Sequence, residues 1–187
     1  MNLENLIVDL SHNPFNPVLN FNVAVEYERL NQIGSAVSFY LRCAEYGTES
    51  NPDYVYASLL KLAKCFDDQN DRVNTVSNCL LQAIAYLPYR QEGYFLLSRF
   101  YERAGQWQEC YTHAQIGLRQ NKMPSLPIDV EFHGDYCLRF EIAVSAYWLG
   151  RSKESKRIFT ELSYESIAPE YENAVKFNLE KIADASL

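Results

Sequence analysis

Residues 98–117 read SRFYERAGQWQECYTHAQIG, and residues 24–43 read AVEYERLNQIGSAVSFYLRC. The two stretches share one spacing of small and large side chains. In each, a small residue (Ser98, Ala24) is followed three positions later by tyrosine (Tyr101, Tyr27). Twelve positions after the first small residue comes a second (Cys110, Ala36), and seven after that a third (Gly117, Cys43). Small side chains at helical spacing let two helices approach closely, and the ring fills the groove beside them. From Ala24 to Ser98 is 74 residues, two units of 37.

Working outward, an intermediate unit fits with one extra residue in its turn: Ala63, Phe66, Val76, Leu80, Ala83 and Pro88. A fourth fits further on, through Ala143, Ala146, Gly150, Ser155, Phe159 and Leu162. Helical periodicity runs almost unbroken from Pro17, which follows the turn signal Asn13-Pro14-Phe15-Asn16. Gly34-Ser35 reads as punctuation between the first two helices, and Gly47 to Pro52 as the next break. Met123-Pro124-Ser125-Leu126-Pro127 cannot be a helix interior, because each proline removes a donor and clashes with the preceding turn. No strand-like alternation of useful length occurs.

The expected fold is an all-α, right-handed solenoid of about four helix-turn-helix repeats with a C-terminal capping helix. Residues 1–16 read as a mixed lead-in, and 17–187 as one domain. Its units span about 17–50, 52–88, 90–120 and 135–163, with an irregular connection at 121–134 and the capping helix at 168–183.

The pattern resembles the tetratricopeptide repeat (TPR), a unit of about 34 residues with small residues at the helix crossing and a closing proline. The resemblance covers residues 17–163, without the early tryptophan of the family pattern. A narrower resemblance lies in 87–102, in Asp129-Val130-Glu131-Phe132 and in 140–150. These are similar to the helical repeat region beside some bacterial and phage glycosyltransferases. In that family a separate catalytic domain precedes the repeats. This sequence matches the repeat part, with no nucleotide-sugar fold and no DxD motif.

Bulk composition fits this reading. Of 187 residues, 48% are hydrophobic and 14% aromatic, enough for a packed core. The net charge of −7 disfavours phosphate backbones and anionic membranes, so neither nucleic acid nor membrane is an expected partner. The five cysteines, at 43, 65, 79, 110 and 137, are widely spaced with no CxxC pair, so they are not a disulfide framework, and Cys43, Cys65, Cys110 and Cys137, within apolar helical patterns, read as buried thiols. The N-terminus lacks a basic, then apolar, leader, and no apolar run approaches 20 residues, so a cytoplasmic location is expected.

No catalytic, cofactor or metal site is expected. Cys110 and His113 have C-x-x-H spacing without a second ligand pair, and read as helix residues on adjacent faces. Asp67, Asp68 and Asp71 lack the glycine and terminal glutamate of a calcium loop, and read as a solvated turn. There is no P-loop, GxGxxG or GxSxG motif.

The TPR resemblance implies a concave groove lined by the first helix of each pair. Carried over unit by unit, the groove positions include Phe21, Glu28 and Arg29, then Leu60 and Lys64. They continue with Phe95, Arg99, Glu102 and Arg103, then Phe140, Tyr147 and Trp148. Phe21, Leu60, Phe95 and Phe140 recur at one position and would form an apolar stripe beside Lys64, Arg99 and Arg103. Such a groove suits a peptide or protein partner of acidic character. The competing readings are that these rings pack between repeat units, or that the C-terminal helix fills the groove. A non-catalytic scaffold is the expected function. Contact with a nucleotide sugar or glycan acceptor is the alternative, and self-association through exposed end faces is also open.

Overall fold

The computed structural model describes residues 2–69 and 72–184. Ten helices occur among them: α1 Leu3–His12, α2 Pro17–Arg29, α3 Ile33–Tyr46, α4 Pro52–Asp67, α5 Val73–Tyr86, α6 Gln91–Arg103, α7 Trp107–Leu118, α8 Asp135–Trp148, α9 Ser152–Leu162 and α10 Pro169–Asp184. No strand occurs among the described residues. The chain forms two compact units. Unit 1 is Met1–Pro88 with Met123–Val130, and unit 2 is Tyr89–Lys122 with Glu131–Leu187.

In unit 1, α2 packs on α3 and α4 on α5, with α3 against α4. The Asn16 side chain caps α2 by accepting from the Leu19 N–H at 3.0 Å, and Pro17 follows at the first helical position. The Asn20 side-chain amide donates to the Pro14 and Asn16 carbonyls, tying the preceding turn to the helix. Ala24, Ala36 and Cys43 are completely buried where α2 and α3 cross, as their spacing implied. Phe21 packs edge-on against Tyr40 and Tyr54. Burying each such ring stabilises by roughly 1.5–3 kcal/mol.

Two expectations are corrected here. The lead-in contains a helix: Leu6 and Leu10 of α1 are buried against Val23, with Leu3 beside them. Leu3, Leu6 and Leu10 follow helical spacing, but in ten residues the pattern is too short to stand alone. Secondly, Gly34-Ser35 does not break the chain but lies in the first turn of α3. The break is at Asn31, which adopts the left-handed conformation with φ +57°.

That turn recurs in unit 2, where Gly105 (φ +68°) ends α6 and Gly150 (φ +76°) ends α8. In all three turns the next residue's N–H reaches back five positions: Gln32 to Tyr27, Gln106 to Tyr101 and Arg151 to Ala146, at 2.8–2.9 Å. This is the Schellman closure of a helix end. The α6–α7 and α8–α9 hairpins pack on each other through α7 and α8, and α10 packs on α9. At the α6–α7 crossing a Cβ on Gly117 would stand 2.6 Å from Tyr94 Cβ, so only glycine fits. Ser155 at the next crossing is buried and donates to the Ala143 carbonyl at 2.7 Å.

The connection 121–134 has no regular secondary structure. Its Ile128 packs on the α2–α4 core. Its Phe132 packs on Phe95, with ring centroids 5.4 Å apart.

Candidate functional site

A cavity of about 330 Å³ opens in unit 2 between α6, α8, α10 and the end of the connection. Helix α6 contributes Arg99 and Glu102, three residues apart on one face. Helix α8 contributes Phe140 and Glu141, and the connection adds Glu131 and His133. From α10 come Glu170, Tyr171 and Ala174, set in place by Pro169 at the start of that helix.

One wall is aromatic. Phe140 meets Tyr171 edge to face at 5.1 Å and Phe159 at 5.5 Å, and Tyr171 meets Tyr136 at 5.2 Å. Opposite, the Arg99 guanidinium lies over the Phe95 ring and pairs with Glu131 at 3.2 Å. Glu131 itself holds φ +60°, a conformation uncommon outside glycine and asparagine.

Glu141 is the unusual member. It is 5% exposed, and its carboxyl accepts from the Cys110 thiol at 3.9 Å, a weak donor. Burial, then the neighbouring Glu102 carboxylate, push the Glu141 carboxyl up to about 8, against the pull of Arg99. Burial also raises the Tyr171 hydroxyl and the Cys110 thiol.

The sequence-derived positions fall into three groups. Phe21, Leu60 and Phe95 are 2%, 2% and 0% exposed, so they pack within the core and offer no surface to a partner. Arg99 and Phe140 come together at the cavity, with Phe95 beneath Arg99. The rest lie elsewhere. Arg29 is exposed and pairs with Glu26. Lys64 is exposed in the last turn of α4, and Arg103 in the last turn of α6. Tyr147 stands edge-on to the exposed Trp148, which stacks on Trp107 at 5.1 Å.

Glu28 is occupied too, accepting from the Tyr40 hydroxyl at 2.6 Å and from Lys61 at 2.9 Å. Cys110 and His113 do not converge: the thiol is buried toward Glu141, while the half-buried His113 ring faces Tyr101. Asp71 lies outside the described residues. Among the described residues no group of three or more His, Cys, Asp or Glu side chains is placed to hold a metal ion. No helix among them is long and apolar enough to cross a membrane.

Glu131, Glu141, Glu170 and Tyr171 escaped the sequence reading. Glu141 did leave a signal, a single charge inside the apolar run Phe140 to Val144.

No protein-family profile and no curated protein matches the chain. Solved structures do. YrrB, described as a TPR protein with an unusual peptide-binding site, aligns with a TM-score of 0.71 at 12% identity, over 99% of this chain and 85% of that one. A tetratricopeptide repeat protein from Parabacteroides merdae aligns at 0.71 and 17% identity, over 97% and 66%. PilW, a type IV pilus biogenesis factor, aligns at 0.66 and 18%, over 92% and 72%. At these identities the likeness speaks for the fold alone. The all-α helical-repeat fold expected from the sequence is the one the chain has.

Proposed function

We propose that the protein is a non-catalytic interaction module that takes a peptide segment of a partner protein into the unit 2 cavity. The observation that carries this is the cavity itself, about 330 Å³, walled by Phe140 and Tyr171. A site of that size with aromatic walls and a few converging polar groups suits a side chain presented by an extended or helical segment. The peptide-binding site named for YrrB, which shares the fold, favours the same use here.

The charge of the lining argues against the acidic partner that Lys64, Arg99 and Arg103 suggested. Four carboxyls (Glu102, Glu131, Glu141 and Glu170) face one guanidinium, Arg99, already paired with Glu131. The Glu102, Glu131 and Glu170 carboxylates would repel the phosphates of a nucleotide sugar, so the glycosyltransferase-linked alternative gains nothing from this site.

Panning a random peptide display library against the full chain tests the proposal. Enriched clones should lose binding to Ala174→Trp, which fills the cavity, while its circular dichroism stays that of the wild type. Failure to enrich any clone, or clones that bind the plugged variant equally well, would overturn it.

A further inference from the structure

Resting on that reading, we infer that the partner segment delivers a lysine or arginine side chain into the unit 2 cavity, where Glu141 is its counter-ion and Phe140 and Tyr171 are its walls. Three independent observations lead there.

The first is the state of Glu141. A carboxyl this buried ordinarily receives several strong donors, because an uncompensated charge away from water is costly. Glu141 is 5% exposed and receives the Cys110 thiol on Oε2, while Oε1 accepts nothing from the described residues. Its backbone carbonyl accepts from the Ser145 hydroxyl at 2.6 Å and shares the same Cys110 thiol at 3.8 Å, so the side chain receives at most part of one weak donor. The side chain therefore stands in the cavity without the hydrogen bonds a structural carboxylate uses. A cationic donor from outside would supply them.

The second is the sign of the surroundings. Glu102 from α6, Glu131 from the connection and Glu170 from α10 add to Glu141, and Arg99 is the one arginine or lysine in the lining. A cation is drawn to such a site and an anion is repelled. The described residues supply no triad of ligands for a metal ion, which favours an organic cation.

The third is the aromatic wall. The Phe140 and Tyr171 rings stand edge to face and both line the cavity, and aromatic rings attract a guanidinium or ammonium group. The protein already uses this contact within the same unit, where the Arg99 guanidinium lies 5.6 Å from the Phe95 ring centre and that of Arg151 lies 4.5 Å from the Tyr111 ring centre.

Proton linkage follows. The groups facing Glu141 are Arg99 and Glu102 from α6, Cys110 from α7, Glu131 and His133 from the connection, and Glu170 and Tyr171 from α10. In the free protein burial keeps the Glu141 proton on up to about 8. A bound cation favours the ionised form, so binding expels the proton below that pH. Affinity then rises with pH, by up to about tenfold per unit.

Two experiments separate this inference from the peptide reading beneath it. In the first, Ala174→Lys places an ammonium group on the cavity wall, with no partner needed. Its melting temperature should exceed that of Ala174→Met by several degrees, and the gap should vanish when Glu141→Gln is added to both. An equal gap in the Gln background would overturn the inference. In the second, clones panned at pH 8 should carry a lysine or arginine whose change to methionine abolishes binding. Glu141→Gln should weaken them at least about tenfold. Clones that need the open cavity but no basic residue, and that tolerate Glu141→Gln, overturn the inference and leave the peptide reading standing. A library that yields no clones overturns the peptide reading alone, and the tethered lysine then decides whether the cavity accepts a cation.

Discussion

The Cys110 thiol donates to Glu141 Oε2 across 3.9 Å, joining α7 to α8 beneath the cavity. So weak a donor does little to hold a negative charge, and burial keeps the carboxyl protonated up to about 8. In the unfolded chain the same group ionises near 4.5. Between those values the folded state holds a proton that the unfolded state has lost. Its contribution is fully present below pH 4.5 and is lost as pH rises through about 8. Urea midpoints should therefore fall from pH 5 to pH 8, by roughly 1.4 kcal/mol per unit at the steepest. Glu141→Gln should flatten that slope, and a slope equal to the wild type's would refute the assignment.

Two glycines in unit 2 separate steric from backbone constraint. Gly117→Ala should destabilise by about 1–3 kcal/mol, because its Cβ would stand 2.6 Å from Tyr94 Cβ and 3.1 Å from Leu138 Cδ2. Gly105→Ala meets nothing within 4 Å, yet φ +68° should cost it about 1–2 kcal/mol. Gly105→Asn should recover part of that loss, as Asn31 occupies the equivalent turn of unit 1. Denaturant titration of the three variants checks the order.

In unit 1, Glu28 is held between the Tyr40 hydroxyl and Lys61. Glu28→Ala strands a fully buried hydroxyl and a lysine only 15% exposed. A loss of about 2–4 kcal/mol is expected. Tyr40→Phe leaves the Lys61 pair intact and should cost about 1–2 kcal/mol. Equal losses would mean that Lys61 contributes nothing.

Trp107 and Trp148, the two tryptophans of the sequence, stack with planes 12° apart. Coupled indoles give an exciton couplet in circular dichroism. Trp148→Phe should abolish the couplet with a stability change within about 1 kcal/mol, since Trp148 is 59% exposed. A couplet that survives the substitution would mean the rings are apart in solution.

The helix crossings were legible because close approach leaves a strict residue requirement. Cys43 and Gly117, or Ala36 and Cys110, announce it at fixed spacing. The turns were less so. Asn31 and Gly105 share a conformation but not a residue type, and the nearby Gly34 drew the boundary to the wrong place. The apolar stripe erred for a related reason. Periodicity places Phe21, Leu60 and Phe95 on one face of their helices, but not whether that face meets solvent or a neighbouring helix. The cavity was least legible, because Arg99, Glu131, Glu141 and Tyr171 come from four segments without a shared spacing.

The buried thiols amount to a set of internal clocks. Cys43 and Cys65 are sealed in unit 1, and Cys110 and Cys137 in unit 2, while Cys79 is half-buried. Burial raises all five thiols, Cys65 to about 11. An alkylating reagent must therefore wait for a local opening before a reactive thiolate appears. Following the alkylation of each cysteine by mass spectrometry would time the breathing of either half of the molecule without a substitution.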